Sequence, residues 1–198
     1  MPNLTLTQLQ ALKAAILAET DPAFVALRQA GGTGQMAEFL NEPATPAHAV
    51  WRTDTPVADI LDAINWSLYT PTGSVDDTAL ADALITGRRT AQLLAIQTKQ
   101  MNLQSMLQGR DRLDCSKPSI RLGLRDAVTS VPAGSNGGTV NPGGGNGSTV
   151  LAACTRLARR AEKIYATVPA STGATTAFLL TYQGRVSDYD VVQATTQV

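Results

Sequence analysis

The sequence predicts a mainly α protein: a helical bundle with one long helix, completed by a short C-terminal β-hairpin or extended arm. Three observations lead there. Apolar residues recur at three- and four-residue spacing through most of 1–168, Gly and Pro punctuate that spacing, and the texture turns Thr-, Phe- and Leu-rich after Pro169. The chain of 198 residues is long enough to bury a real core. It divides on this reading into a helical domain, 1–168, and a C-terminal strand or arm segment, 169–198.

Leu6, Leu9, Leu12, Ile16 and Leu17 predict a helix over about 5–19, with Thr5 or Thr7 as its cap. Asp21-Pro22 opens a second, short helix carrying Phe24, Val25 and Leu27, which Gly31 and Gly32 stop; Met36, Phe39 and Leu40 mark a third. Pro43, Pro46 and the run AVWRT read as an extended connector. Thr55-Pro56 then starts a helix with Val57, Ile60, Leu61 and Ile64 on one face and Asp59 and Asp62 on the solvated other.

The long helix is expected from near Ser74 toward Gly109, through Leu80, Leu84, Leu94, Ile96, Met101, Leu103 and Leu107. At 1.5 Å per residue, roughly 30 residues span about 45 Å, so either Gly87 breaks the element or it is a strut in an elongated subunit. A helix over Pro118–Thr129 follows, with Ile120, Leu124, Ala127 and Val128 inward and Lys117, Arg121 and Arg125 forming a basic opposite side. Residues 132–148 are dominated by glycine and predict a long flexible loop. Helical sequence resumes at Ser148 or Thr149 and continues to Val168. Arg156, Arg159, Arg160 and Lys163 make its polar side, and it pairs antiparallel with the preceding basic helix. The stretch STGATTAFLLTYQGRV reads as a strand or hairpin, and Ser187 onward as a short helix with Val191 and Val192 or an extended arm.

The net charge of zero conceals a segregation. Residues 1–87 carry ten acids and three bases, whereas 88–163 carry twelve bases and four acids. Opposite fields on one subunit favour head-to-tail association or an acidic partner for the basic end; the alternative is two halves that attract each other within the chain. No apolar run is long enough for a transmembrane helix. The N-terminal segment lacks a basic stretch and reads as an amphipathic helix rather than a secretory signal, so a cytosolic site of assembly is expected.

No catalytic constellation is expected. His48, the one histidine, lies in a Pro-rich connector without a nucleophile motif. GGGNGST lacks the lysine of a phosphate loop, and GGTGQMAE carries Ala37 where a dinucleotide fingerprint needs glycine. The carboxylate pairs Asp59/Asp62 and Asp76/Asp77 suit a solvated face and a helix start rather than acid–base work. Cys115 and Cys154 read as buried small hydrophobes, not as a disulfide or half a metal site. Neither metal nor cofactor is expected. The bases Lys117, Arg121, Arg125, Arg156, Arg159, Arg160 and Lys163 suit phosphate neutralisation, yet Tyr165 is the only aromatic there for base stacking. A protein interface is the preferred reading of those bases, opposite acids such as Asp59 and Asp62, with a nucleic-acid-binding module as the alternative.

Four segments carry a resemblance: the opening TLTQLQALKAAILAETDPAF, the block VWRTDTPVADILDAINW (Val50 to Trp66), QMNLQSMLQGRDRLDCSKPSIRLGLRDAVTSVPAG (Gln100 to Gly134), and the closing LTYQGRVSDYDVVQA. Together they resemble the small, mostly helical neck proteins of tailed bacteriophages, the head-to-tail adaptors or connectors that ring the portal. The resemblance implies a structural virion protein of the neck, assembled in the host cytoplasm, with no enzymatic activity and no membrane contact. It implies a homo-oligomeric ring, twelve-fold in that family, contacting the portal protein on one side and tail or nozzle proteins on the other, with passing contact to genomic DNA. On that reading the strand-like segment with Phe178, Leu180 and Tyr182 pairs with a neighbour. Head completion, tail termination and a minor capsid role are further structural assignments of the same composition.

Overall fold

The first helix starts at the cap its sequence offers. In the computed structural model, which describes residues 4–66, 94, 97–129 and 146–196, the Gln8 amide donates to the Thr5 hydroxyl at 3.3 Å, and the Thr5 amide donates back to the Gln8 side chain at 2.9 Å. This reciprocal capping box satisfies two amides that the helix itself leaves orphaned, and α1 runs Leu6–Ala18. Asp21 caps α2 (Pro22–Gln29) by accepting from the Ala23 amide. Gly31, at φ +68°, ends it: the Gly31 amide reaches the Arg28 carbonyl and the Gly32 amide the Leu27 carbonyl, the paired bonds of a Schellman stop.

The remaining elements follow in chain order: α3 (Thr33–Leu40), β1 (Ala49–Trp51), β2 (Thr55–Pro56), α4 (Val57–Asp62), α5 (97–107), β3 (Arg112–Leu113), α6 (Pro118–Val128), α7 (Asn146–Ala153), β4 (Thr155–Leu157), α8 (Arg160–Ile164), β5 (Ala166–Thr172), β6 (Thr175–Leu180) and α9 (Asp188–Thr196). A four-stranded mixed sheet has the order β4-β1-β6-β5, with β1 parallel to β6 at Val50 opposite Phe178. β2 and β3 form a separate antiparallel pair. Gly173, at φ +60°, occupies the left-handed position that the turn between β5 and β6 requires.

The chain divides into two compact units that interleave in sequence: Met1–Trp51 with Arg156–Ala170 and Ala177–Val198, and Arg52–Thr155 with Ser171–Thr176. In the first unit α9 packs on α1 and α3, and α2 on α3. Leu9, Leu12 and Ile16 enter a core with Phe24, Met36, Leu40, Tyr165 and Val191. Ser187 and Asp190 hold the start of α9, each accepting the other's amide proton. In the second unit α6 packs on α7 and α7 on α4. Asn146, buried, joins α7 to the chain after α4: its amide oxygen accepts from the Asn65 amide at 2.8 Å, and its amide nitrogen donates to the Asn65 carbonyl.

The architecture is therefore mixed α/β, not a helical bundle with a terminal hairpin. The expected helix from Ser148 to Val168 accounts for most of the difference: α7 stops at Ala153, β4 intervenes, α8 is five residues long, and β5 takes over at Ala166. Backbone groups that would have bonded along one helix instead bond across to 42–52. The Ala158 amide donates to the His48 carbonyl, the Arg160 amide to the Glu42 carbonyl and the Arg52 amide to the Cys154 carbonyl. Leu157, an apolar residue of that stretch, is 62% exposed as a result. The C-terminal hairpin is present, followed by α9 rather than an extended arm.

Most of the predicted long helix, Gly87 included, lies outside the described residues; its last part is helical over 97–107 and Gly109 follows at φ +70°. Among the described residues the longest helix is α1, at 13 residues. Of the predicted loop, 132–145 lies outside the described residues and 146–148 form the first turn of α7. No helix among the described residues is long and apolar enough to cross a membrane.

Candidate functional site

The charge segregation along the sequence disappears within each unit. The first unit carries seven acids and seven bases, the second nine of each. In the first unit, α8 brings bases of the 156–163 run onto acids of the N-terminal half. The Arg160 guanidinium lies 3.5 Å from Glu42 and 3.9 Å from Asp21, with its carbon 3.9 Å above the Phe39 ring. In the second unit Arg112 meets Asp54 at 3.3 Å and Arg52 meets Asp59 at 2.8 Å. Each unit is thus formally neutral, and these pairs join bases to acids of the same unit.

Arg156 is the most committed of the predicted interface bases. Its guanidinium forks onto Glu162, whose side chain is fully buried: Nη1 donates to Oε2 at 2.6 Å and Nη2 to Oε1 at 2.7 Å. The Arg159 amide donates to Oε2 at 3.0 Å and the Gly184 amide to Oε1 at 3.1 Å, so four donors surround one carboxylate. Burial alone would raise the Glu162 pKa, but the Arg156 guanidinium and the two amides outweigh it and hold the carboxyl below its ordinary range. Such a satisfied pair locks β4, the start of α8 and the chain after β6 together.

Arg121 is a correction. It was placed on an exposed basic face with Lys117 and Arg125, but α6 turns it inward, where it is 3% exposed. It donates to the Cys115 carbonyl at 2.8 Å, the Ser116 carbonyl at 2.6 Å and the Thr172 hydroxyl at 3.1 Å. The turn before α6 presents these carbonyls, and a long cationic side chain reaches them. Lys117 stays exposed beside Asp114 at 3.5 Å, and Arg125 is half-buried. Lys163 is exposed and Arg159 half-buried, while Asp62 is exposed at the end of α4. Arg121 thus leaves the basic side expected of α6, and Arg156 and Arg160 are held by acids of their own unit.

Phe178, Leu180 and Tyr182 were expected to offer a strand to a neighbour. β6, which holds Phe178 and Leu180, instead lies between β1 and β5, so both its backbone edges are engaged. Phe178 stacks on His48 with centroids 4.0 Å apart, and Leu180 is half-buried. Burial and the nearby Lys163 ammonium lower the His48 pKa, which keeps the imidazole neutral. Tyr182 is buried edge-on against Tyr165 and donates to the Arg185 carbonyl at 2.9 Å. Burial, then Asp190, raises its pKa.

The helix expected over about 5–19 is present as α1, but its leucines do not all face inward. Leu6 and Leu17 share the apolar spacing with Leu9, Leu12 and Ile16, yet they are 64% and 63% exposed, about a quarter-turn around the helix from those buried residues. Eleven residues apart, they lie about 16 Å from each other along one outer stripe. Leu17 also lines a cavity of about 250 Å³ with Ile16, Met36, Lys13 and Arg28. Arg28 is itself anchored there, donating to the Ile16 and Leu17 carbonyls at the C-terminal end of α1.

Comparison with protein-family models, with curated proteins and with solved structures finds no match to this chain.

Proposed function

We propose that this chain is a structural virion protein, a head-to-tail adaptor or connector that forms a ring on the portal of a tailed bacteriophage and joins capsid to tail. The four segments that resemble phage neck proteins supply the identity, and twelve-fold closure comes from that resemblance. The observation that carries a protein-binding role is the exposure of Leu6 and Leu17 on one outer stripe of α1, with Gln10 and Lys13 between them. A helix whose inner side is already packed, and which still displays Leu6 and Leu17 more than 60% exposed, has surface suited to a partner. Because each unit is electrically balanced, docking on this reading is driven by apolar contact and shape more than by opposite charge. Burial of Arg121 and the pairing of Arg156 and Arg160 with acids weigh against the nucleic-acid module. Other phage structural roles, head completion, tail termination or minor capsid, use the same face with a different partner.

The test is a mass measurement of the full chain alone and mixed with portal protein, for the wild type and for the double variant Leu6→Asp, Leu17→Lys. These substitutions place an acid at the N-terminal end of α1 and a base at its C-terminal end, in keeping with the helix dipole. The wild type is expected to assemble on the portal as a ring, and the variant to remain folded but unassembled. A wild-type chain that ignores portal at high concentration, or a variant that assembles equally well, overturns the proposal.

A further inference from the structure

A cavity of about 250 Å³ lies at the C-terminal half of α1, wholly within the first unit. Ile16 and Met36, both buried, give it an apolar floor, and the exposed Leu17 gives it an apolar rim. Its charged residues are Lys13 and Arg28, and no acid stands among its described lining residues. Gly31 completes part of the wall, and nothing lies within 4 Å of the point where a side chain on it would begin. The volume exceeds the ~150 Å³ of an apolar cavity that takes benzene and falls short of the ~300–1,000 Å³ of sites for drug-sized ligands, which sets the occupant at about six to eight carbons.

Three features make this apolar cavity positive. Arg28 donates through Nη1 to the Ile16 and Leu17 carbonyls at 2.6 and 2.9 Å, which covers the negative end of α1 but neutralises no formal charge. Among the described residues no carboxylate pairs with Arg28. Lys13, one helical turn before Leu17, brings a second cationic side chain to the same lining. Thr33, the first residue of α3, lines the cavity as well, and α3 begins without a side-chain cap and without an acid in its first turn. A helix start of that kind carries the positive end of the helix dipole, which favours an anion.

We propose that this cavity binds a small apolar monocarboxylate, with its hydrocarbon part against Ile16, Leu17 and Met36 and its carboxylate beside Lys13 and Arg28 at the start of α3. Removing the hydrocarbon from water supplies the driving force, and the two cations select the charge of the head group. An alcohol of the same length gains only the first contribution, and a quaternary ammonium of that length meets like charge. The inference does not rest on the adaptor reading, because the cavity belongs to one unit of a single chain and is tested without portal.

The experiment isotope-labels the methionine methyl groups of the full-length chain and titrates sodium octanoate by NMR. The Met36 signal is expected to shift saturably, while those of Met101 and Met106, in the second unit, stay in place. Octanol is expected to bind more weakly than octanoate by about tenfold or more, and octyltrimethylammonium to leave Met36 unmoved. Lys13→Glu is expected to weaken octanoate by about tenfold or more and to leave octanol binding as it is. Thr195→Phe, at an exposed position of the cavity wall, is expected to fill the space and abolish the Met36 response in a chain with the circular dichroism of the wild type. A wild-type Met36 signal that octanoate leaves unmoved, or that moves together with Met101 and Met106, overturns the proposal without reference to either variant. Octanol that binds as tightly as octanoate overturns the assignment of a carboxylate.

Discussion

Arg156→Ala removes two of the four donors around a carboxylate that water does not reach. Glu162 is fully buried, and its remaining partners, the Arg159 and Gly184 amides, are dipoles rather than a compensating charge. Breaking a buried ion pair from one side typically costs 3–5 kcal/mol, mostly as the penalty of the stranded charge. The Arg156 side chain is 30% exposed, so water enters from that side when it is removed, which places the expectation near the lower end, about 3 kcal/mol. With a urea dependence of about 1–3 kcal/mol per molar, the unfolding midpoint falls by about 1–3 M. The matched control is Arg156→Met with Glu162→Leu, which removes both charges and is expected to recover most of the loss because a paired apolar replacement leaves nothing stranded. Urea denaturation followed by circular dichroism measures all three proteins. A single variant within about 0.5 kcal/mol of wild type, or a double variant as unstable as the single, refutes the assignment of Glu162 as a charged, buried anchor.

The same carboxylate predicts acid lability. Its native pKa lies below the ordinary value of 4.5, so the unfolded chain takes up the proton first; the stabilisation is complete above 4.5 and is lost as pH falls through the native value. His48 adds an earlier slope, because its lowered native pKa makes protonation below 6.5 favour unfolding, and His48→Asn is expected to remove that part alone. Urea midpoints that stay level from pH 7 to pH 3 contradict both. Arg121→Leu is expected to lose about 2–4 kcal/mol by leaving two carbonyls and the Thr172 hydroxyl without their donor, whereas Arg125→Ala on the same helix loses about 1 kcal/mol or less. Equal losses in calorimetry contradict the inward placement of Arg121.

Local signals were the legible part of this molecule. Thr5 with Gln8, Asp21 before Pro22, and Gly31 after α2 each act within a few residues, through bonds that any chain with those side chains can make, so helix starts and stops were readable directly. The hairpin from its Thr-rich texture and the closing helix after Ser187 were equally local. The Ser148–Val168 stretch was not, because its residues favour a helix when read alone. It is divided by partners far away in sequence, the backbone of 42–52, and by the fork of Arg156 on Glu162.

The candidate site divides along the same line. Which residues carry charge is written in the sequence, and the presence of seven bases between 117 and 163 was plain from it. Which of them face solvent depended on packing: Arg121 and Arg125 are one helical turn apart, yet α6 turns the first inward onto carbonyls and leaves the second half-buried. Leu6 and Leu17 show the converse, since periodicity identifies a helix as apolar but only its neighbours decide which apolar side is covered. Composition and short-range spacing therefore determined the helices' ends and the stock of charged groups. Tertiary structure alone decided the sheet, the burial of Glu162 under Arg156, and the inward turn of Arg121. Each of those depends on segments remote in the chain arriving together, and free energy of that kind has no imprint on local residue spacing.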